Sequence, residues 1–551
     1  MKLTRILIAT LLAVTLATPA VAASNWVEDF LRRYDPAQSV NTTNIGQFIQ
    51  TGIVPVTLND VVNMMIDRNL DIRANRMSPR SSYFQSLVFY RALQPSIRFS
   101  GTITRDSSAS NTQLNGATVL SQLRGFYSVN FSQLLPTGTS LSVDVTMNRS
   151  SSNSVLNTYN PSYSGRVIYT AGQHLLRDRG RFINMHQILT AQNNEKISET
   201  QFEIQLTNLL VQAQKSYWDL VFASDDLNVK QRSLDLALQT LNENRMKVEI
   251  GTLAPIDVVQ TQSEVATRRE QLILSTYSVT QTEDQIKKLA SSDKDPAIFL
   301  VNLRASEAPR RPDQVRVPTL EEAVRIALEN RPEMRQGALD MRNRDIDVDY
   351  TKNQKLPAFD VTATYNQNGT GGTQTVRGNV FGSSQILNVI PGGVGSALNQ
   401  LFSYNYTGYS LGFSFVVPLN NKASEADYDR ARNEQRLSQS RMEVTAQEIA
   451  LEVRNALTQV EMNRARIETA QTGRELAQQK MEAEQTKFSL GTSTLRFVLE
   501  EQRNVAQAET NELQSVVNFT KSLVDLDKAM GMTLRNNNIE IEKTLNAAAA
   551  N

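Results

Sequence analysis

The sequence predicts an α+β membrane protein in which long coiled-coil helices join β-strands that close a barrel only in an oligomer. Three observations carry this reading. Glycine is segregated: 17 of the 24 glycines fall in residues 95–180 and 357–420, whereas no proline occurs in 162–254 or after Pro418. Zones rich in helix breakers therefore alternate with stretches almost free of them. In the breaker-free stretches apolar residues recur every seven positions. In the glycine zones they recur every second position.

Composition bounds what such a chain does. Its 57 basic and 56 acidic residues leave a net charge of +1. That supplies no basic excess for neutralising phosphates, so nucleic acid is excluded as a partner. Mean hydropathy is −0.35, and the one long apolar run is N-terminal. A bundle of transmembrane helices is excluded, because each span needs about 20 apolar residues. Membrane β-strands are not excluded, since they alternate and average out as hydrophilic. There is no cysteine, hence no disulfide, thiolate nucleophile, thiolate zinc site or lipidated N-terminal cysteine. His174 and His186 are the only histidines. One sits beside leucines and the other in a helix-like stretch, and both read as structural. No enzyme, cofactor or metal is expected.

The N-terminus begins with a secretory signal peptide over residues 1–22. Lys2 and Arg5 precede the apolar core Ile6–Ala17, and Ala20-Val21-Ala22 fits a cleavage site. An N-terminal extension, 23–56, follows it.

The rest of the chain repeats itself. TLNDVVNMMIDRNLDIR (57–73) matches TLEEAVRIALENRPEMR (319–335) at an offset of 262, which also carries Pro95 onto Pro357. EIGTLAPIDVV (249–259) matches SLGTSTLRFVL (489–499) at an offset of 240. The first half thus holds 22 extra residues between Pro95 and Gly251, placed most simply in its β zone. The expected order is a first repeat over 57–290, a linker over 291–318, a second repeat over 319–531 and a tail over 532–551. Each repeat reads helix, strands, long helix, turn, helix.

The long helices are expected over 181–249 and 424–489. At 1.5 Å per residue the first spans roughly 100 Å. Its seam is Leu206, Ala213, Leu220, Leu227, Leu234, Leu241 and Val248. The second repeat has Ala446, Val453, Val460, Ile467, Arg474, Met481 and Phe488, so only Arg474 interrupts it. Helices over 256–290 and 319–354 are each about half as long, which lets two of them lie end to end beside a long one. A helix over 495–531 completes the second repeat.

The strands fall in 97–171 and 359–417. Ile97, Phe99 and Ile103, then Tyr127, Val129 and Phe131, then Leu141, Val143, Val145 and Met147 alternate with polar residues, and Val167, Tyr169 and Ala171 close the zone. Phe359, Val361, Ala363 and Tyr365, and later Tyr409, Leu411, Phe413, Phe415 and Val417, do the same. Runs of about 9–11 residues suit tilted membrane strands. The repeat requires two strands per half, but the first half offers four, with LLPTGT (134–139) as a tight turn. The total is four or six. Residues 106–118, 150–162 and 366–405 read as external loops. So few strands per chain close a barrel only in an oligomer.

These residues resemble the outer membrane efflux protein family. The resemblance covers nearly all of 57–531. It rests on the two head motifs, Pro95 and Pro357, QHLLR (173–177), VPL (417–419), AQKSYWDL (213–220) and the turns IGT (250–252) and LGT (490–492). It implies a homotrimer in which a long α-helical coiled-coil barrel continues a shared transmembrane antiparallel β-barrel. It implies a cell outer-membrane location with the helical body in the periplasm, and contact with outer-membrane lipid. Its members serve as the exit duct of tripartite efflux pumps or type I secretion systems, docked to a periplasmic adaptor (membrane fusion) protein and through it to an inner-membrane pump. The family has four strands per protomer; an added hairpin in the first β zone would make six and widen the barrel. His174 stands where the family has a proline.

The resemblance also implies two sets of functional residues. Asp257 and Glu500, just past the helix turns, would ring a pore gate, with Phe497 at a position where the family prototype has an acid. A carboxylate ring favours cations, although acids at helix starts are also favoured by the dipole alone. Ile250, Gly251 and Thr252, with Leu490, Gly491 and Thr492, would receive the adaptor's helical hairpin. A stand-alone porin is disfavoured by the heptads. A periplasmic adaptor is disfavoured by the twofold repeat.

Overall fold

The structure, a computed structural model, describes residues 52–112, 115–290, 299, 301–378 and 385–539. The signal peptide, most of the 23–56 extension, residues 291–298 of the linker and residues 540–551 of the tail lie outside them. In chain order the strands are β1 (Ile53–Val56), β2 (Ser96–Ala109), β3 (Val119–Leu134), β4 (Thr139–Ser152), β5 (Tyr159–His174), β6 (Asn302–Ala305), β7 (Ala358–Arg377), β8 (Ile386–Ile390) and β9 (Thr407–Val416). The helices are α1 (Leu58–Arg68), α2 (Leu70–Val88), α3 (Arg181–Asn184), α4 (His186–Glu249), α5 (Pro255–Ala290), α6 (Leu320–Asn330), α7 (Pro332–Gln354), α8 (Val394–Phe402), α9 (Lys422–Ser489), α10 (Leu495–Ala529) and α11 (Thr533–Asn536).

The chain packs as two units that cut across the sequence repeat. One holds the described residues up to Arg80, Ile197–Ala338 and Arg441 onward; the other holds Ser81–Lys196 and Leu339–Ser440.

The first unit is mostly helical and holds the greater part of the two long helices, with the short β1–β6 pair. α4 has 64 residues and α9 has 68, about 95–100 Å each. Of the α4 seam, Leu206, Ala213, Leu220, Leu234 and Leu241 are buried and Leu227 and Val248 half-buried. In α9, Val453 and Val460 are buried, and Ala446, Ile467, Arg474, Met481 and Phe488 are half-buried. The seven-residue period thus marks the buried stripe, and the polar residues between stay wet.

The head of each repeat is built alike. Thr57 and Thr319 are the N-caps of α1 and α6, accepting from the backbone N–H of Asp60 and Glu322, which satisfies a donor the helix start leaves unpaired. Both helices stop after 11 residues. The helix expected over 319–354 is therefore two. Pro332 keeps Arg331 out of the helical region, and Arg331 adopts φ −63, ψ 128. In the first repeat Asn69 breaks the chain identically, at φ −64, ψ 127, and its side chain caps α2 by accepting from Ile72 N–H at 3.0 Å. The same two residues pin the ends of the partner helices: Asn69 donates to Leu289 O at 3.0 Å and Arg331 to Lys528 O at 3.1 Å. The end of α5 thus abuts the α1–α2 break, and that of α10 the α6–α7 break.

The segment expected as a plain linker carries β6, which pairs in parallel with β1. Val54, Val56, Val301 and Leu303 join the main core with Tyr217 and Trp218 of the AQKSYWDL motif. Tyr217, fully buried, donates its hydroxyl to Val56 O at 3.3 Å and accepts from Glu307 N–H at 3.2 Å. A four-residue strand pair is too short to show as alternation in sequence.

The second unit contains an antiparallel sheet in the order β2-β3-β4-β5-β7, with β9 and β8 both on the far edge of β7. β9 pairs along Ala358–Gln367, and β8 along Gln374–Arg377. The first half supplies four strands, so six long strands stand in one chain, plus the short β8. The extra residues form one hairpin, turned at LLPTGT, where Leu135 N–H bonds Thr139 O at 2.8 Å and Gly138 takes φ +84.

Two expectations are corrected here. Strands β2 to β5 and β7 run 14–20 residues, so they extend into 106–109, 150–152, 159–162 and 366–377, which read as loops. Ser, Asn and Gly have weak strand propensity, but ladder pairing with a neighbouring strand overrides it. Residues 385–405, also read as loop, hold β8 and α8. The long helix expected from 181 breaks at Met185 (φ −104, ψ 5) before α4 begins.

Candidate functional site

The sheet separates two chemistries by register. One row across all six long strands reads Ile97, Phe131, Val143, Tyr169, Tyr365, Tyr409. The row one residue back along β2, on the opposite face, reads Ser96, Ser132, Ser142, Thr170, Thr364, Ser410. Six hydroxyls stand in line, and two neighbouring pairs are hydrogen-bonded, Ser96–Ser132 (2.9 Å) and Thr364–Ser410 (2.5 Å). Successive side chains on a strand point to opposite faces, so one face is apolar and the other polar. Their outermost strands present unused edges among the described residues. Every residue of β2 is exposed, and β9 leaves Tyr409 90% and Phe413 81% exposed.

The two histidines have separate partners. His174 Nδ1 lies 2.6 Å from Asp360 Oδ1 across the β5–β7 pair. His186 stacks on Tyr350 with ring centroids 3.8 Å apart. Among the described residues no cluster of His, Asp and Glu has metal-binding geometry, and no helix is long and apolar enough to cross a membrane.

The two helix hairpins, α4–α5 and α9–α10, end in the same turn. At the first, Gly251 has φ +79; its N–H donates to Val248 O at 3.0 Å, and Thr252 N–H reaches Lys247 O at 2.8 Å. At the second, Gly491 has φ +76, with Gly491 N–H to Phe488 O at 3.1 Å and Thr492 N–H to Lys487 O at 3.0 Å. This is the left-handed glycine cap that satisfies the last helical carbonyls. Each threonine hydroxyl also bonds the same lysine carbonyl. The cap leaves one large apolar side chain standing out at each tip: Ile250 is 73% exposed and Leu490 72%. The tips are neighbours, since Lys247 Nζ lies 5.3 Å from the Phe488 ring.

The three acid-or-aromatic positions follow directly. Asp257, in the first turn of α5, and Glu500, in the second turn of α10, are half-buried, and Phe497 is exposed. Asp257 and Phe497 are equivalent through the 240-residue offset, as are Gln260 and Glu500. Each repeat therefore presents one carboxylate, one helical turn apart. Neither the Asp257 nor the Glu500 side chain has a hydrogen-bond or ion-pair partner among the described residues.

Sequence reasoning missed the polar fastenings behind the tips. Arg268, 2% exposed, bonds Ser233 Oγ, pairs with Glu264 at 2.9 Å and donates to Leu499 O at 3.4 Å, joining α4, α5 and α10. Burial lowers its pKa, against the raising effect of Glu264. At the second tip Glu484 bonds Ser493 and Lys487, whose combined pull holds its carboxyl below the usual range. Periodicity registers apolar residues and passes over such interior charges.

The outer membrane efflux protein family model matches residues 61–292 and 323–532. The fold is similar to that of a membrane protein from Pseudomonas aeruginosa (15% identity, 86% of this chain and 93% of that one, TM-score 0.61). It is also similar to the Campylobacter jejuni CmeC outer membrane channel (15%, 93% and 95%, TM-score 0.58). The open state of the Neisseria gonorrhoeae MtrE outer membrane channel is a third (15%, 87% and 89%, TM-score 0.57). No curated protein matches the chain in sequence.

Proposed function

Because the chain belongs to the outer membrane efflux protein family, we propose that it is the outer-membrane exit duct of a tripartite efflux pump or type I secretion system. It conducts cargo passively, and energy comes from the inner-membrane pump. The observation that carries this reading is the six-strand sheet with one apolar and one hydroxyl-lined face and both edges open. Six long strands from each of three protomers close a barrel of eighteen, with the apolar face to lipid and the polar face to a wet lumen. α4 and α9, with their narrow seams, form the periplasmic tunnel.

In this trimer Asp257, Phe497 and Glu500 form the gate at the periplasmic end. The unpartnered carboxylates of Asp257 and Glu500 leave their charge free for cations in the pore. Ile250 and Leu490, each held outward by its glycine and threonine, receive the periplasmic adaptor. Extraction of the outer membrane in mild detergent tests the assembly. A trimer of about three times the 61.6 kDa chain mass is expected, whereas a soluble periplasmic monomer overturns the barrel. Co-purification with an adaptor and its pump then distinguishes drug efflux from protein secretion.

A further inference from the structure

Between β7 and β9 the chain makes an excursion that neither repeat symmetry nor the duct requires. Residues 378–421 contain no Asp, Glu, Lys, Arg or His, in a chain that is 21% charged. Within this stretch α8 lies flat on the sheet. It rests on the glycines of β5 and β7: a Cβ on Gly369 would stand 2.2 Å from Ala397 O, and one on Gly371 2.5 Å from Ala397 N. A Cβ on Gly165 would stand 3.6 Å from the Leu401 side chain, an ordinary packing distance. Gly369 and Gly371 thus let the helix backbone touch the strand backbone.

The face it covers is decided by register. Gly165, Val167 and Tyr169 alternate along β5, and Gly369, Gln367 and Tyr365 along β7, so α8 sits on the apolar face of the sheet. Ala397 and Leu401 are buried against it, at 0% and 2% exposure. One flank of α8 is apolar and exposed, with Val394, Leu398 and Phe402 at 41%, 37% and 60%, whereas the exposed Ser396 and Asn399 lie on the side away from the sheet. A helix with an exposed apolar flank and uncharged polar residues on its far side suits the boundary between acyl chains and headgroups.

We infer that α8 is a lipid-embedded helix lying in the outer leaflet, with Leu398 and Phe402 among acyl chains and Tyr404 and Tyr406 at the headgroup level. This rests on the apolar sheet face being the lipid face. The occupant follows from continuity: α8 lies on that face about 11 residues beyond the start of β7 at Ala358, the length of strand that crosses a bilayer. The exposed Tyr404 and Tyr406 follow it directly, and such rings favour the interface. A protein partner is not favoured, because the segment offers no charge to orient one.

The cysteine-free chain permits a direct test. Leu398→Cys, Phe402→Cys, Val145→Cys on the apolar face of β4 and Thr146→Cys on its polar face are each labelled with an environment-sensitive fluorophore in the full-length protein in liposomes. Quenching by doxyl-labelled lipid is compared with quenching by aqueous iodide. Labels at 145, 398 and 402 are expected to lose emission to the lipid quencher, and the label at 146 to iodide. If 145 reports lipid while 398 and 402 report iodide or neither quencher, the helix faces water or a protein neighbour and the inference is overturned. If 145 itself reports iodide, the barrel reading fails first.

Discussion

Arg474 Nε lies 3.1 Å from a Glu512 carboxylate oxygen, and the two residues occupy the positions that Leu234 and Leu272 hold in the apolar cluster of the first repeat. One repeat closes its long hairpin with leucines and the other with an ion pair. Both residues of the pair are partly exposed, at 35% and 24% of their side-chain area, so screening discounts it. Arg474→Leu alone, which strands a half-buried carboxylate, should lower stability by about 1 kcal/mol. The double variant Arg474→Leu, Glu512→Leu should be neutral or stabilising. A double-mutant cycle on thermal unfolding checks this; equal losses in the single and double variants would refute a coupled pair.

Ile250→Asp and Leu490→Asp together should abolish export while leaving the trimer intact, because both side chains stand out and contribute no core. Loss of the adaptor from pull-downs at unchanged trimer yield is the expected measurement. Retained export would remove the tips from docking. Gly251→Ala should instead cost about 1 kcal/mol locally, through its φ of +79.

Asp257→Asn with Glu500→Gln should raise single-channel conductance and weaken cation preference in planar bilayers. Phe497→Asp, which copies the first repeat's acid into the second, should strengthen cation preference. Unchanged reversal potentials in both variants would remove these residues from the pore.

Burial raises the Asp527 carboxyl above its usual 3.8, against the lowering effects of Asn536 and Arg310. Burial raises Glu203 too, despite Arg335 at 2.5 Å. A carboxyl whose folded pKa is raised contributes stability fully below its unfolded value, and that contribution is lost as pH rises through the folded value. The contribution of these carboxyls to the melting temperature should therefore fall as pH rises above about 4. Asp527→Asn should flatten that slope; an unchanged slope would show that Asp527 does not titrate in this window.

Much of this was legible in the sequence because it is periodic. The heptads located the buried stripes of α4 and α9, alternation located the strands, and the two glycine turns were visible as a repeated motif. The legible part ends where interactions are not periodic. The β1–β6 pair spans four residues per strand, too few for a pattern. The break at Asn69 depends on a side-chain cap, whereas its counterpart at Arg331 is marked by Pro332. Arg268 is a buried charge without a counterpart in the second repeat, since the equivalent residue is Ala508. α8 was hidden inside what composition reads as a glycine-rich loop.

The open edges of β2 and β9 have a genetic consequence. In the proposed trimer a chain completes its hydrogen bonding only with two neighbours, so an assembled duct carries every defect of each chain it recruits. A chain that pairs normally at its edges but is blocked at the gate would be dominant. Expressed in equal amount with the wild type, it would leave only about one duct in eight free of the altered chain under random mixing.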